Sequence, residues 1–230
     1  MQPAVRHFAI VTFRKAGLLR FLSHLDLARA IDRAVRRAGL PVRYSQGFNP
    51  SAQISFASAL PVGVAGEREL CQIELERALD AGEVLRALAA QLPPDLGVLD
   101  VRVVSGPRRT HLSGLTRADY EIEFEPDPHV GIDMLEQAVA RVLDAGELTV
   151  QRETSSRTRE IDIRPGIYAL HVSPPASADA GPQLRMSLAL EQERLVKPHE
   201  VVEVLRRQLA ALTEAAPALD VRRVTRLGVH

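Results

Sequence analysis

Residues 7–13 alternate in the period-two pattern of a strand, with Phe8, Ile10 and Thr12 on one side and Ala9, Val11 and Phe13 on the other. Arg14, Lys15, Ala16 and Gly17 then read as a turn. Ser23 followed three residues later by Asp26 is a capping box: the hydroxyl accepts from the third helical amide while the carboxylate reaches back. The helix it opens runs to Ala38, with Leu27, Ile31, Ala34, Val35 and Ala38 as its apolar stripe and Gly39 as its left-handed stop. Pro41 precedes a short strand expected over 42–45, and residues 46–50 hold three turn formers in five positions. Alternation over 54–60 predicts a longer strand that breaks at Pro61, and 71–75 predicts another. Asp80 and Glu83 open a helix carrying Val84, Leu85, Leu88 and Leu92. Pro93 and Pro94 end it before a closing strand over 98–104.

The second half repeats this rhythm. Tyr120, Ile122 and Phe124 alternate, and Ile132, Leu135, Val139, Val142 and Leu143 form a helical stripe ending near Gly146. Strands are expected over 148–151, 161–172 and 184–190. Pro198 suits a helix first turn, Val201, Val204, Leu205 and Leu209 face inward, and 221–227 closes the set. Residues 105–116 read as a Gly/Ser/Arg-rich linker, and 173–182 as a loop too polar and breaker-rich to be ordered without a partner. The expected class is α+β: two tandem ferredoxin-like (split βαβ) sandwiches with antiparallel sheets, over 1–108 and 117–230.

Composition is ordinary for a globular chain, 46% hydrophobic and 25% charged, which rules out disorder of the whole. No apolar run reaches the roughly 18 residues of a membrane span, and no secretory signal is visible, so a cytoplasmic location is expected. Cys71, the one cysteine, makes no internal disulfide and holds neither an iron–sulfur cluster nor a four-ligand zinc alone. The zero net charge hides an asymmetry. Residues 1–60 carry nine basic side chains against Asp26 and Asp32, and the remainder is correspondingly acidic. Six of the nine aromatic residues lie in the same stretch, so one anion-seeking, aromatic-bearing region is expected.

Within it, Arg29, Arg33 and Arg36 share one helix face opposite the apolar stripe, and the planar guanidinium suits phosphate oxygens. Arg20 precedes the helix and Arg43 follows it. Tyr44, Gln46, Phe48 and Asn49 add rings and amides for stacking and hydrogen-bonding unpaired bases. Ser23 and His24 stand at the helix N-terminus, which favours anions, so His24 is a candidate phosphate contact or general base. His24 and the 43–50 loop are expected at one end of the first domain. Arg157, Arg159 and Arg164 form a smaller basic segment that Glu160 and Asp162 neutralise. The histidines show no metal-ligand spacing, and GxSxG, Walker and GxGxxG motifs are absent; no metal and no cofactor are expected.

The segments FLSHLD (21–26), RRAGLPVRYSQGFNP (36–50) and ISFASALPVGV (54–64), with EIDIRPGI (160–167), resemble the bacterial radical-SAM-linked protein family, a domain of unknown function. The resemblance implies a radical-SAM partner protein and neighbours linked to RNA metabolism. It implies no S-adenosylmethionine site here, since the three-cysteine cluster motif is absent, and it brings no catalytic residues. Ser51, Ala52 and Gln53 depart from the basic or proline-containing stretch expected of relatives.

The expected function is therefore a non-catalytic RNA-binding or substrate-presenting accessory module. Two alternatives stand beside it. Tandem ferredoxin-like domains also build the CRISPR-associated repeat-processing endoribonucleases, a fold-level analogy in which His24 and Tyr44 would carry metal-independent cleavage. The other is a protein–protein scaffold whose basic face meets an acidic partner.

Overall fold

The computed structural model describes residues 5–48, 50–106, 112–153, 158–175, 177, 179–214 and 217–230. Asn49 and Arg157 lie outside the described residues. The chain divides into two compact units, Met1–Leu115 with Gly228–His230, and Thr116–Leu227.

The first unit contains β1 (Arg6–Lys15), a 3-10 turn (Gly17–Phe21), α1 (His24–Arg37), β2 (Ile54–Phe56), β3 (Ala65–Leu75), α2 (Ala81–Ala89) and β4 (Val98–Gly106). Its strands lie in the order β4-β1-β3-β2, and every neighbouring pair is antiparallel. The alternation in β1 sorts its side chains as expected. Ala9, Val11 and Phe13 pack with Leu27, Ile31 and Val35 of α1 and with Val84 and Leu88 of α2. Phe8 and Ile10, on the other side, meet Leu112, Val104 and Leu115. Burying each large apolar side chain of the α1 stripe contributes roughly 1.5–3 kcal/mol, so packing rather than propensity holds that helix.

Three boundaries differ from expectation. The strand at 54–60 stops at Phe56, because the chain turns away toward Gly63, whose φ of +85° only glycine adopts at ease. The strand expected over 71–75 extends back to Ala65, since β1 offers it a partner as far as Lys15, opposite Gly66. No strand forms over 42–45; Val42 bridges Leu75 and Tyr44 bridges Ala52 singly.

The second unit contains β5 (Arg117–Phe124), α3 (Ile132–Asp144), β6 (Thr149–Glu153), β7 (Thr158–Asp162), β8 (Ile167–Ser173), β9 (Gln183–Ala189), α4 (Pro198–Ala210) and β10 (Val221–Val229) as far as Leu227. Its main strands follow the order β10-β5-β9-β8, the same last-first-third-second arrangement as in the first unit. The antiparallel pair β6-β7 stands outside that order, as an insertion between α3 and β8. The single strand expected over 161–172 is thus two strands separated by a 3-10 turn (Arg164–Gly166). Pro165 cannot donate to a ladder, and the Arg164 guanidinium donates instead to the carbonyls of Leu143 and Ile167. Asp162 accepts from the backbone amides of Leu148 and Arg164, so the expected neutralisation of Arg164 by acidic neighbours does not occur.

Two further elements close this unit. In the 173–182 loop, Gly181 donates to Phe124 O, Phe124 donates to Pro182 O, and Ala180 is buried. Strand β5 thus holds the C-terminal end of this loop, while residues 176 and 178 lie outside the described residues. On the inserted hairpin, the Arg152 guanidinium grips Glu200 of α4 through both carboxylate oxygens, at 2.5 and 2.7 Å, and donates a further bond to Leu195 O. Glu200, 2% exposed, also accepts from the Lys197 amide at the helix start. Burial pushes its carboxyl up, but the Arg152 and Lys197 hydrogen bonds and the Arg152 charge hold it below its ordinary value.

Candidate nucleic-acid interface

The two ends of α1 carry the residues singled out in the sequence, and they are different places. Twelve residues separate His24 from Arg36, roughly 18 Å of helix axis. Arg36 reaches Pro50 O at 3.3 Å, and its guanidinium carbon stands 5.2 Å from the centre of the Tyr44 ring. The 43–50 loop therefore sits at the C-terminal end of α1. His24 instead packs edge-on against Phe56, ring centres 5.0 Å apart, and Phe56 meets Phe13 in the same manner at 6.3 Å. The expected gathering of His24 with Tyr44 does not occur, and with it goes the catalytic pairing of the two.

At the N-terminal end the polar groups are committed to the fold. Ser23 Oγ accepts from the Asp26 amide, as the sequence predicts, while the Asp26 carboxylate accepts from the Ser23 hydroxyl at 2.7 Å in place of the reciprocal backbone bond of a full capping box. The Arg29 Nη1 donates to the second oxygen of Asp26 at 3.4 Å. Arg20 donates to Gly17 O and lies over the Phe21 ring at 4.5 Å. His24 Nδ1 is shielded from solvent with no hydrogen-bond partner, behind the Phe56 ring.

The C-terminal end is built differently. Arg43 N donates to Glu74 O and Gln53 N to Arg43 O, tying the stem of the loop to β3. Ser45 and Ser51 clasp its neck: Ser45 N donates to Ser51 O, and Ser51 N to Ser45 Oγ. Gly47 turns at φ +139°, a conformation that side chains rarely adopt. Beyond this clasp Phe48 is fully exposed, at 107%, and Tyr44 is 39% exposed. Neither ring belongs to the core. Arg43, Tyr44, Ser45, Gln46, Gly47, Pro50 and Glu76 line an open hollow of ≈ 510 Å³. The Arg43 guanidinium lies 3.4 Å from Glu74, a buried carboxylate that Arg6 also contacts at 2.6 Å. Glu74 carries little signal in the sequence: it is one of three glutamates in β3, with Glu67 and Glu69, and only the fold shows that it is buried beneath Arg6 and Arg43.

Along the exposed face of α1, Arg29 and Arg36 pair with Asp26 and Asp32 within the helix, while Arg33 has no partner among the described residues. Arg37 points elsewhere and clamps Gln91 through its side chain and carbonyl. Arginine over a ring, beside a second ring free in solvent and a neighbouring amide, can sandwich unpaired bases and contact their phosphates. Among the described residues no group of three or more His, Cys, Asp or Glu side chains could hold a metal ion, and no helix is long and apolar enough to cross a membrane. Burial pushes the Cys71 thiol up to about 12, which leaves it unreactive at neutral pH.

Residues 9–198 match the model of a family described as "Uncharacterized protein conserved in bacteria (DUF2344)". The chain belongs to this family. Three of the four segments that carry the radical-SAM-linked resemblance surround α1 in this DUF2344 protein: one opens the helix, one closes it and forms the loop, and one contains β2 and the turn beyond it. No curated protein matches the chain. Among solved structures, a Cbf5-Nop10-Gar1 complex aligns at 10% identity and a TM-score of 0.48, covering 96% of this chain and 48% of that one. An archaeal box H/ACA sRNP Nop10-Cbf5 complex aligns at 12% identity and 0.43, covering 95% and 46%. The chain thus spans about half the length of the solved chains it aligns with.

Proposed function

We propose that this DUF2344 protein is a cytoplasmic, non-catalytic accessory module that binds single-stranded RNA through the loop at the C-terminal end of α1 and works beside a radical-SAM enzyme. One observation carries the RNA reading: Phe48 stands fully exposed next to a half-exposed Tyr44 that Arg36 overlies. A free ring costs solvation unless a ligand covers it, and every base offers a flat face to stack on. Gln46 adds a side chain for base edges, while Arg33, Arg36 and Arg43 supply charge for phosphates. The radical-SAM partner rests on the resemblance of the segments at 21–26, 36–50 and 54–64. The matching strand order of the two units supports reading both as ferredoxin-like, the second with β6-β7 inserted.

The test is fluorescence anisotropy of a labelled oligouridylate with the full chain. Tyr44→Ala and Phe48→Ala are each expected to weaken binding by about 1–3 kcal/mol. Melting temperatures are expected to stay at the wild-type value, since neither ring is core. A wild-type chain with no saturable affinity for single strands contradicts the reading.

A further inference from the structure

The N-terminal end of α1 gathers large apolar side chains that the fold leaves uncovered. Leu18, Phe21, Leu25 and Val62 are each more than half exposed. Leu18 and Phe21 project from one side of the 3-10 turn, where side chains three apart eclipse. Gly63 N donates to Arg20 O at 2.9 Å, which draws the Val62 turn alongside, and Phe21 Cε1 lies 4.0 Å from the place of a Cβ on Gly63. Leu25 stands on the first turn of α1, and Arg29 and Arg33 continue from it along the same helix face. The result is an apolar knuckle with a cationic border.

We infer that this end of α1 docks a partner protein, one whose contact surface is apolar opposite Leu18, Phe21, Leu25 and Val62 and acidic opposite Arg29 and Arg33. A cluster of this kind is uncommon on a surface that stays in water. Nucleic acid fits it poorly: three of the four side chains are aliphatic and offer no stacking plane, and Arg20 already covers the Phe21 ring. An anionic bilayer fits poorly too, because Asp26, half exposed beside Leu25, would face the lipid phosphates. A protein supplies both required chemistries, apolar groups for the knuckle and carboxylates that take the guanidiniums of Arg29 and Arg33 in pairs. The RNA reading centres on the loop at the other end of the helix; the exposed arginines of α1 lie between the two and are shared, so positions 25 and 48 are the ones that tell the readings apart.

Site-specific photocrosslinking in the native cell tests it. Full-length chain carries a photoreactive benzoylphenylalanine in place of Leu25, or, separately, in place of Phe48. Irradiation at position 25 is expected to give an adduct with one polypeptide, whose crosslinked segment is apolar with an excess of Asp and Glu. That segment, synthesised and labelled, is expected to bind the purified chain saturably. Leu18→Ser with Val62→Ser, and separately Arg29→Glu with Arg33→Glu, are each expected to weaken it by about tenfold or more. Phe48→Ala is expected to leave it unchanged. All of these side chains are exposed, so circular dichroism and melting are expected to match wild type. An adduct with RNA, with phospholipid or with a second copy of the chain overturns the inference. So does the absence of any adduct, or a segment whose affinity ignores both double variants. Loss of the RNA adduct at position 48 with the protein adduct at 25 intact overturns only the RNA reading.

Discussion

In the second unit, Arg152 lies against Glu200 with both side chains largely withdrawn from solvent, and Arg164 and Arg206 hold distant backbone carbonyls. On α1, by contrast, Arg29 and Arg36 lie on the surface beside Asp26 and Asp32, and Arg33 has no partner among the described residues. The same side chain is a strut in one place and an open contact in the other. An arginine-rich composition is therefore not by itself a sign of binding. Burial and the number of internal hydrogen bonds decide which arginines are available to a ligand.

The largest expected effect comes from removing a strut. Glu200→Ala leaves the Arg152 guanidinium buried without its carboxylate and is expected to cost about 3–5 kcal/mol of stability, read by urea or thermal unfolding. A loss below about 1 kcal/mol would place this pair with the surface ones and erase the contrast.

Next in size is the acid limb of stability. Glu200 is held below its ordinary carboxylate value, so its contribution is fully present above the unfolded value of about 4.3 and is lost as pH falls through the folded one. Asp127, which accepts from the His129 and Ala218 amides, and Asp179, hydrogen-bonded to Ser177, are lowered too and act in the same direction. Unfolding midpoints are expected to drop below about pH 4, and Glu200→Gln is expected to flatten that drop. An unchanged slope in Glu200→Gln would remove the buried pair from the explanation.

The smallest stability effect is expected at the open arginines. Replacing Arg29, Arg33 and Arg36 together by Ala should shift stability by no more than about 1 kcal/mol, because exposed pairs contribute little. In single-strand binding, each lost phosphate contact should take roughly 0.7 off the slope of log affinity against log salt. A large destabilisation with an unchanged slope would reclassify these arginines as struts.

Much of this frame is legible in the sequence. Ser23, Asp26 and Gly39 mark the ends of α1 and the Leu27–Ile31–Val35 stripe marks its buried face, and the alternation in β1 sorts its two faces. What sits at which end of α1 is not legible. His24 and Tyr44 are twenty residues apart, and nothing in that spacing says that the chain must travel the length of the helix and turn before reaching Tyr44. Nor can a lone aromatic such as Phe48 reveal whether it is core or surface, since that depends on a clasp between Ser45 and Ser51. The Arg152–Glu200 pair spans 48 positions, and neither residue stands out from the charged residues around it. The turn that splits the expected strand at 161–172 has a visible signal, Pro165 followed by Gly166, which a strand-like run of apolar residues on both sides masks.

The C-terminal end of α1 is proposed as an open nucleic-acid contact rather than a solvated turn. The most direct test is the salt dependence of oligouridylate binding by the full chain, measured for wild type and for Phe48→Ala. Wild type is expected to bind with an affinity that falls steeply with salt. Phe48→Ala is expected to bind about 5- to 150-fold more weakly at every salt concentration with the same slope, because stacking is lost while the phosphate contacts remain. Equal affinities for the two proteins, or binding that ignores salt, would contradict the account.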